Sequence, residues 1–205
     1  PYTKENVRTD GIFTAASGKR QTADYLDSHE TIYLSGNNVS GFLKPYDGGK
    51  YAFVALVPDE GVTLADYLRN LTGEHLYQMI TDHHYADVQA SIPKFTARSE
   101  LALEEPLRAA GISDLFDVSA ADLRGLGSAP NGNTLYVNSV LHKTYLELDE
   151  NGTKAAAATS LDVNAGAAPP SEDVKTVTLD RPFLYMVVDT HACVPLFMGT
   201  VTSME

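Results

Sequence analysis

The chain has 205 residues, of which 43% are hydrophobic and 20% charged, enough for a sizeable core in one domain. A net charge of −12 repels phosphate backbones and argues against nucleic-acid binding. No basic amphipathic stretch suits an anionic membrane, and no apolar run approaches the length of a membrane span. No signal peptide is visible, and the chain begins at Pro1 rather than Met, so the native N-terminus is expected to be missing and export is left open.

The first strand candidates are "ETIYLSG" (30–36) and "VSGFLKPY" (39–46), flanking the turn signal Gly36-Asn37-Asn38. "KYAFVALVPDEG" (50–61) is a continuous apolar run ending in a turn, which predicts a strand buried on both faces. Thr63 is a plausible N-cap for a helix carrying Leu64, Tyr67, Leu68 and Leu71 at helical spacing. "DVQASIPKFTARSE" (87–100) returns to alternation, with Val88, Ala90 and Ile92 opposite Asp87, Gln89 and Ser91. Leu101 to Ala110 reads as a short helix stopped by Gly111. "NTLYVNSVLHKTYLELDENG" (133–152) is the longest strand candidate, apolar on parts of both faces, which predicts an interior strand. "PFLYMVVD" and "VPLFMGTVTS" close the chain as two strands around a turn at 189–193. Many strands and few helices in mixed order predict an α+β fold.

Constellations for catalysis or metal binding are weak. Cys193 is the one cysteine, with no partner for a disulfide or a thiolate site, and it reads as a core thiol. In "TDHHYAD" (81–87) the adjacent His83 and His84 diverge on a strand or a helix, which disfavours a shared metal with Asp82 or Asp87. Ser139 and His142 lack a nucleophile elbow, and "GLGSAPNGN" (125–133) lacks the P-loop lysine. No enzyme, cofactor or metal site is expected.

The stretch "ENGTKAAAATSLDVNAGAAPP" (150–170) admits three readings. Alanine favours a helix, but the patch is short and Thr153, Thr159 and Val163 oppose it. Small residues and the prolines favour a linker. Period two favours a strand: Thr153, Ala155, Ala157, Thr159, Leu161 and Val163 lie on one face, and Lys154, Ala156, Ala158, Ser160, Asp162 and Asn164 on the other.

"DENGTKAAAAT" resembles the hinge of the reactive loop in serpins, which runs Glu-x-Gly-Thr-x-Ala-Ala-Ala-Ala-Thr. "VNSVLHKTYLELDENGT" looks like the serpin strand that feeds this loop, and "RPFLYMVVD" with "PLFMGTV" is similar to the family's C-terminal strand pair. "SIPKF", "LRAAGISDLF", "ADLRGL" and "FVALVPDEG" add matches in family order. The resemblance implies a serpin-like multi-sheet fold of which 1–205 is the C-terminal portion of a single domain, mostly β with a few short helices. "PY" at 1–2 looks like the end of a serpin segment whose tryptophan is absent here.

It also implies a suicide-substrate inhibitor of a serine protease. The protease's serine attacks a bond in the reactive loop, about 150–175, and the cut loop inserts as a new strand in the central sheet. The hinge would be Glu150, Gly152, Thr153, Lys154, Ala155, Ala156, Ala157, Ala158 and Thr159, with Lys154 where the family often has an acidic residue. Family spacing sets the reactive bond at Gly166-Ala167, with Ala165 in reserve, which suits an elastase-like or subtilisin-like target with a shallow pocket. His142 matches a histidine that supports sheet opening, and Lys94 is expected to pair with Glu150. The alternative is a non-inhibitory binding or storage protein, or an inactive fragment. Extracellular or periplasmic placement is expected, while the lack of cysteine pairs equally suits a bacterial or intracellular member. Self-association through exposed sheet edges is a further expectation.

Overall fold

The described residues of the computed structural model are 2–127, 129, 132–153 and 174–204. They form two compact units, the larger from 1–96 and 147–205, the smaller from 97–146. Among the described residues no helix is long and apolar enough to cross a membrane.

The larger unit is built on a mixed sheet of eight strands among the described residues. Val7–Thr14 (β1) and Arg20–Gly36 (β2) form an antiparallel pair. Val39–Pro45 (β3) and Tyr51–Pro58 (β4) continue the sheet on the β1 side of β2. Phe183–Asp189 (β10) and Val194–Val201 (β11) complete that side in the order β11-β10-β4-β3-β2. On the other edge of β2 lie His84–Pro93 (β5) and then Val174–Thr178 (β9), and β9 runs parallel to β5.

Binary patterning explains why the sheet has two buried sides. On one side Leu34, Leu43, Val54, Leu56, Leu184, Met186 and Val188 pack under two helices, Leu64–Asn70 (α1) and Gly73–Thr81 (α2). Leu64, Tyr67, Leu76 and Ile80 are the helical residues pressed onto it. Phe42, Phe53 and Phe183 occupy the opposite parity, where Phe183 meets Phe95 edge to face at 5.6 Å between ring centres. In β4 every residue after Tyr51 is buried, as the run of apolar residues predicts.

Several boundaries differ from the sequence reading. Strand β2 begins ten residues earlier than expected, because Arg20 to Glu30 pair with β1 and β5 despite their polar character. Thr63 caps α1 as predicted, its Oγ1 accepting the Asp66 N–H at 3.1 Å, and Thr72 caps a separate α2 by accepting the His75 N–H. The alternation over 87–100 splits at Lys94 into β5 and a further strand, Phe95–Ala102 (β6), because the Lys94 N–H turns to the Asp24 carbonyl at 2.7 Å. The helix expected from Leu101 is shorter, Glu104–Ala109 (α3), since Leu101 and Ala102 belong to β6. The long candidate at 133–152 is a regular strand only over Leu141–Asp149 (β7), and only Leu146 and Leu148 in it are buried. In the second sheet it lies between β6 and Gly152–Thr153 (β8), which among the described residues pairs only with Leu148 and Asp149, and the burial expected on both of its faces is found on one, at Leu146 and Leu148.

In the turn between β10 and β11 Cys193 is half-buried against the α1–α2 core and its Sγ donates to the Thr190 carbonyl at 3.6 Å. The smaller unit contains α3, a 3-10 turn at Asp114–Phe116 and the outer parts of β6 and β7. Arg108 joins its parts, lying 4.9 Å from the Phe116 ring centre and pairing with Glu104.

Gly41 tests the close approach of β3 to β4. A Cβ there would lie 2.2 Å from the Ala55 carbonyl oxygen and 2.6 Å from Leu56 Cδ2. Since backbone cannot swing aside, Gly41→Ala should cost about 3 kcal/mol in urea unfolding. An unchanged midpoint would contradict this packing.

Candidate functional site

The turn joining β7 to β8 is the start of the predicted hinge. Asp149 pairs with Gly152 and Leu148 with Thr153, so Glu150 and Asn151 stand at the apex. Asp149 shapes the turn by accepting the Asn151 N–H on Oδ1 at 2.8 Å. Gly152 has φ +102°, a conformation that other residues rarely adopt, which explains why the turn needs glycine there.

Glu150 is anchored twice. Its Oε2 lies 2.8 Å from Lys94 Nζ, the pairing expected from the sequence. Its carbonyl accepts the Tyr2 N–H at 2.8 Å. The Lys94 ammonium, by hydrogen bonding to Glu150, holds that carboxyl below the usual glutamate value, and the same bond raises Lys94. Lys94 also reaches Asp24 at 3.9 Å. Beside the turn is a cleft of about 370 Å³ lined by Lys94, Phe95, Leu148, Asp149, Ser203 and Met204 among others.

A second polar group in the larger unit escaped the sequence reading. Glu30 on β2 is 6% exposed, and its Oε1 accepts both the Lys44 ammonium and the Ser28 hydroxyl, the latter at 2.6 Å. Lys44 on β3 also sits 4.9 Å from the centre of the Tyr2 ring. Burial opposes charge on Lys44, but the Tyr2 phenol and the Glu30 carboxylate outweigh it and raise its pKa. Burial likewise raises the Tyr2 phenol, against the pull of Lys44 and Ser28. The signal was present in "VSGFLKPY", where Lys44 shares its parity with the buried Phe42.

Of the other predicted site residues, His142 lies exposed on β7 in the smaller unit. Lys154, Ala155, Ala156, Ala157, Ala158, Thr159, Ala165, Gly166 and Ala167 lie outside the described residues. Thr153 stands opposite Leu148 in antiparallel pairing with β7, and 154–164 lie outside the described residues. Among the described residues no group of three or more His, Cys, Asp and Glu side chains could hold a metal ion.

The family model Serpin (serine protease inhibitor) matches residues 1–204. Leukocyte elastase inhibitor A of Mus musculus is 30% identical over 177 residues, covering 83% of this chain and 45% of its own length. Tengpin, a thermophilic serpin solved in its native state, superposes with a TM-score of 0.82 at 40% identity, covering 99% of this chain and 51% of that one. A loop C-sheet serpin polymer superposes at 0.71 with 34% identity, covering 100% of this chain and 52% of that one. The chain thus spans about half the length of the relatives it matches.

Replacing Lys94 with Met should destabilise the protein in a pH-dependent way. The folded pKa of Glu150 lies below its unfolded value, so the pairing stabilises fully above the unfolded value and is lost as pH falls through the folded one. Urea unfolding of wild type and Lys94→Met across pH should show a gap at neutral pH that closes on acidification. A gap that ignores pH would remove the ion pair from the account.

Proposed function

The chain belongs to the serpin family, and from that premise we propose that residues 1–205 are the C-terminal portion of one serpin domain that traps a serine protease as a suicide substrate. It acts as an inhibitor and not as an enzyme. The observation that carries this reading is the β7–β8 turn: the strand feeding the hinge already accepts Gly152 and Thr153 as antiparallel neighbours. Insertion then needs no new nucleus, only extension of a ladder that exists. Carrying the same register forward would set Ala155 opposite Leu146, Ala157 opposite Thr144 and Thr159 opposite His142.

The chemistry follows in order. The protease's serine attacks the carbonyl of the residue before the cut, giving an acyl-enzyme and freeing the new amine of the residue after it. Gly166-Ala167 is the proposed bond, with Ala165 as the alternative residue before the cut. Neither glycine nor alanine fills a deep primary pocket, which favours an elastase-like or subtilisin-like target. The small side chains of Ala155, Ala156, Ala157 and Ala158 let the freed segment slide between strands. Thr153, Lys154 and Thr159 complete the hinge, and Lys154 belongs to the set expected to face solvent. His142 supports the opening strand from β7.

Edge strands β11 and β9 support self-association with a second copy, since Leu196 and Met198 on β11 are 54% and 50% exposed.

The full-length protein, incubated with elastase, subtilisin and trypsin, should give an SDS-stable complex with one of the first two. Mass spectrometry of the released C-terminal peptide should map the cut within 164–168. Cleavage elsewhere would sink the bond assignment, and cleavage with no complex from any protease would favour the binding or storage alternative. Ala157→Arg puts a bulky charge on the apolar set. It should keep the cleavage and lose the complex on the order of tenfold or more.

A further inference from the structure

The ion pair of Lys44 with the buried Glu30 has no place in the hinge chemistry given above, yet it reaches the hinge through one residue. Tyr2 donates its N–H to the Glu150 carbonyl at 2.8 Å, and its ring centre is 4.9 Å from Lys44 Nζ. Lys44 in turn pairs with Glu30, which Ser28 also fixes. Resting on the inhibitor reading, we infer that Lys44 and Glu30 are positioning residues: they fix the Tyr2 ring, and so the amide that secures the apex of the β7–β8 turn.

The physical case has three parts. Glu30 is 6% exposed, so its charge persists there only with partners, and those partners become rigid in consequence. An ammonium beside an aromatic ring is attracted to its face, more strongly where water is excluded, so Lys44 restrains the Tyr2 ring. The Tyr2 amide then meets a carbonyl one residue before the apex partner Asn151, at the point from which the inserting ladder must grow. Lys94 grips the Glu150 carboxylate, and Tyr2 grips the Glu150 main chain. A turn with only the first grip keeps its ion pair but is free to fray at the backbone.

The consequence is kinetic. After cleavage the acyl-enzyme partitions between loop insertion and hydrolysis that frees the protease. Fraying at the start of the ladder slows insertion and leaves hydrolysis unaltered, so more inhibitor is spent for each protease trapped.

The test uses the full-length protein. Removing Lys44 alone would strand the buried Glu30 carboxylate and can prevent folding, so the principal variant replaces both, Lys44→Met with Glu30→Leu. The number of inhibitor molecules consumed per protease should rise roughly three- to tenfold. Lys44→Arg, which retains the charge, should stay near wild type. Leu56→Ala in the core of β4 is the control for lost stability alone: it should lower the melting temperature and leave that number unchanged. A second readout needs no inhibition, namely the rate at which the protein gains thermal stability after its loop is cut by a protease that forms no complex. If no protease is trapped, the inhibitor reading fails, while slower gain in the double variant would still uphold the positioning role. Equal rates and equal consumption in wild type and double variant, or no gain in stability on cutting wild type, would overturn it.

Discussion

Strand β4 has no solvent-facing side, so its backbone polar groups can be satisfied only along its two edges, and β3 and β10 supply them. That requirement fixes the centre of the larger unit. Once β3, β4 and β10 are aligned, their side chains alternate between the α1–α2 side and the phenylalanine side. The close approach at Gly41 belongs to the same constraint, since β3 must come near enough for the ladder and has no room for a side chain there.

The β7–β8 turn is joined to this centre by polar contacts of two kinds. Lys94 and Glu150 are both partly exposed, so their attraction is screened by water and salt. Glu30 alone of the four is buried, although its partner Lys44 is partly exposed, so removing Lys44 would strand a buried carboxylate. The Lys94–Glu150 pair is suited to letting go, while the buried Glu30 carboxylate needs its ammonium partner to stay put. The proposed mechanism asks for a hinge stable before cleavage and movable after it, and the two contacts together suit that demand.

Fold class and the main strands were readable in the sequence because their burial is written in the side chains. The run at 50–61 and the pair closing the chain could be placed by apolar content alone. Arg20 to Glu30 could not, because Tyr25 and Leu26 are the only large apolar side chains in a stretch held by backbone pairing, first to β1 and then to β5. At 133–140 the opposite happened: alternating residues suggested a strand, but regular pairing begins only at Leu141. For the hinge, the Glu150–Lys94 pair was legible from family resemblance. The Tyr2–Lys44–Glu30 group was not, since three residues separated by 28 and 14 positions meet only through tertiary packing. Lys44 on the same parity as Phe42 was the one local sign of it.

The two ends of the 154–173 segment differ in how they would bear load. Toward the N-terminal side the chain enters from β8, where two paired residues hold it. Toward the C-terminal side it feeds β9, where five residues paired in parallel with β5 hold it more firmly. A mechanical pull on the segment therefore yields first at Thr153, and the β9 end serves as the fixed clamp.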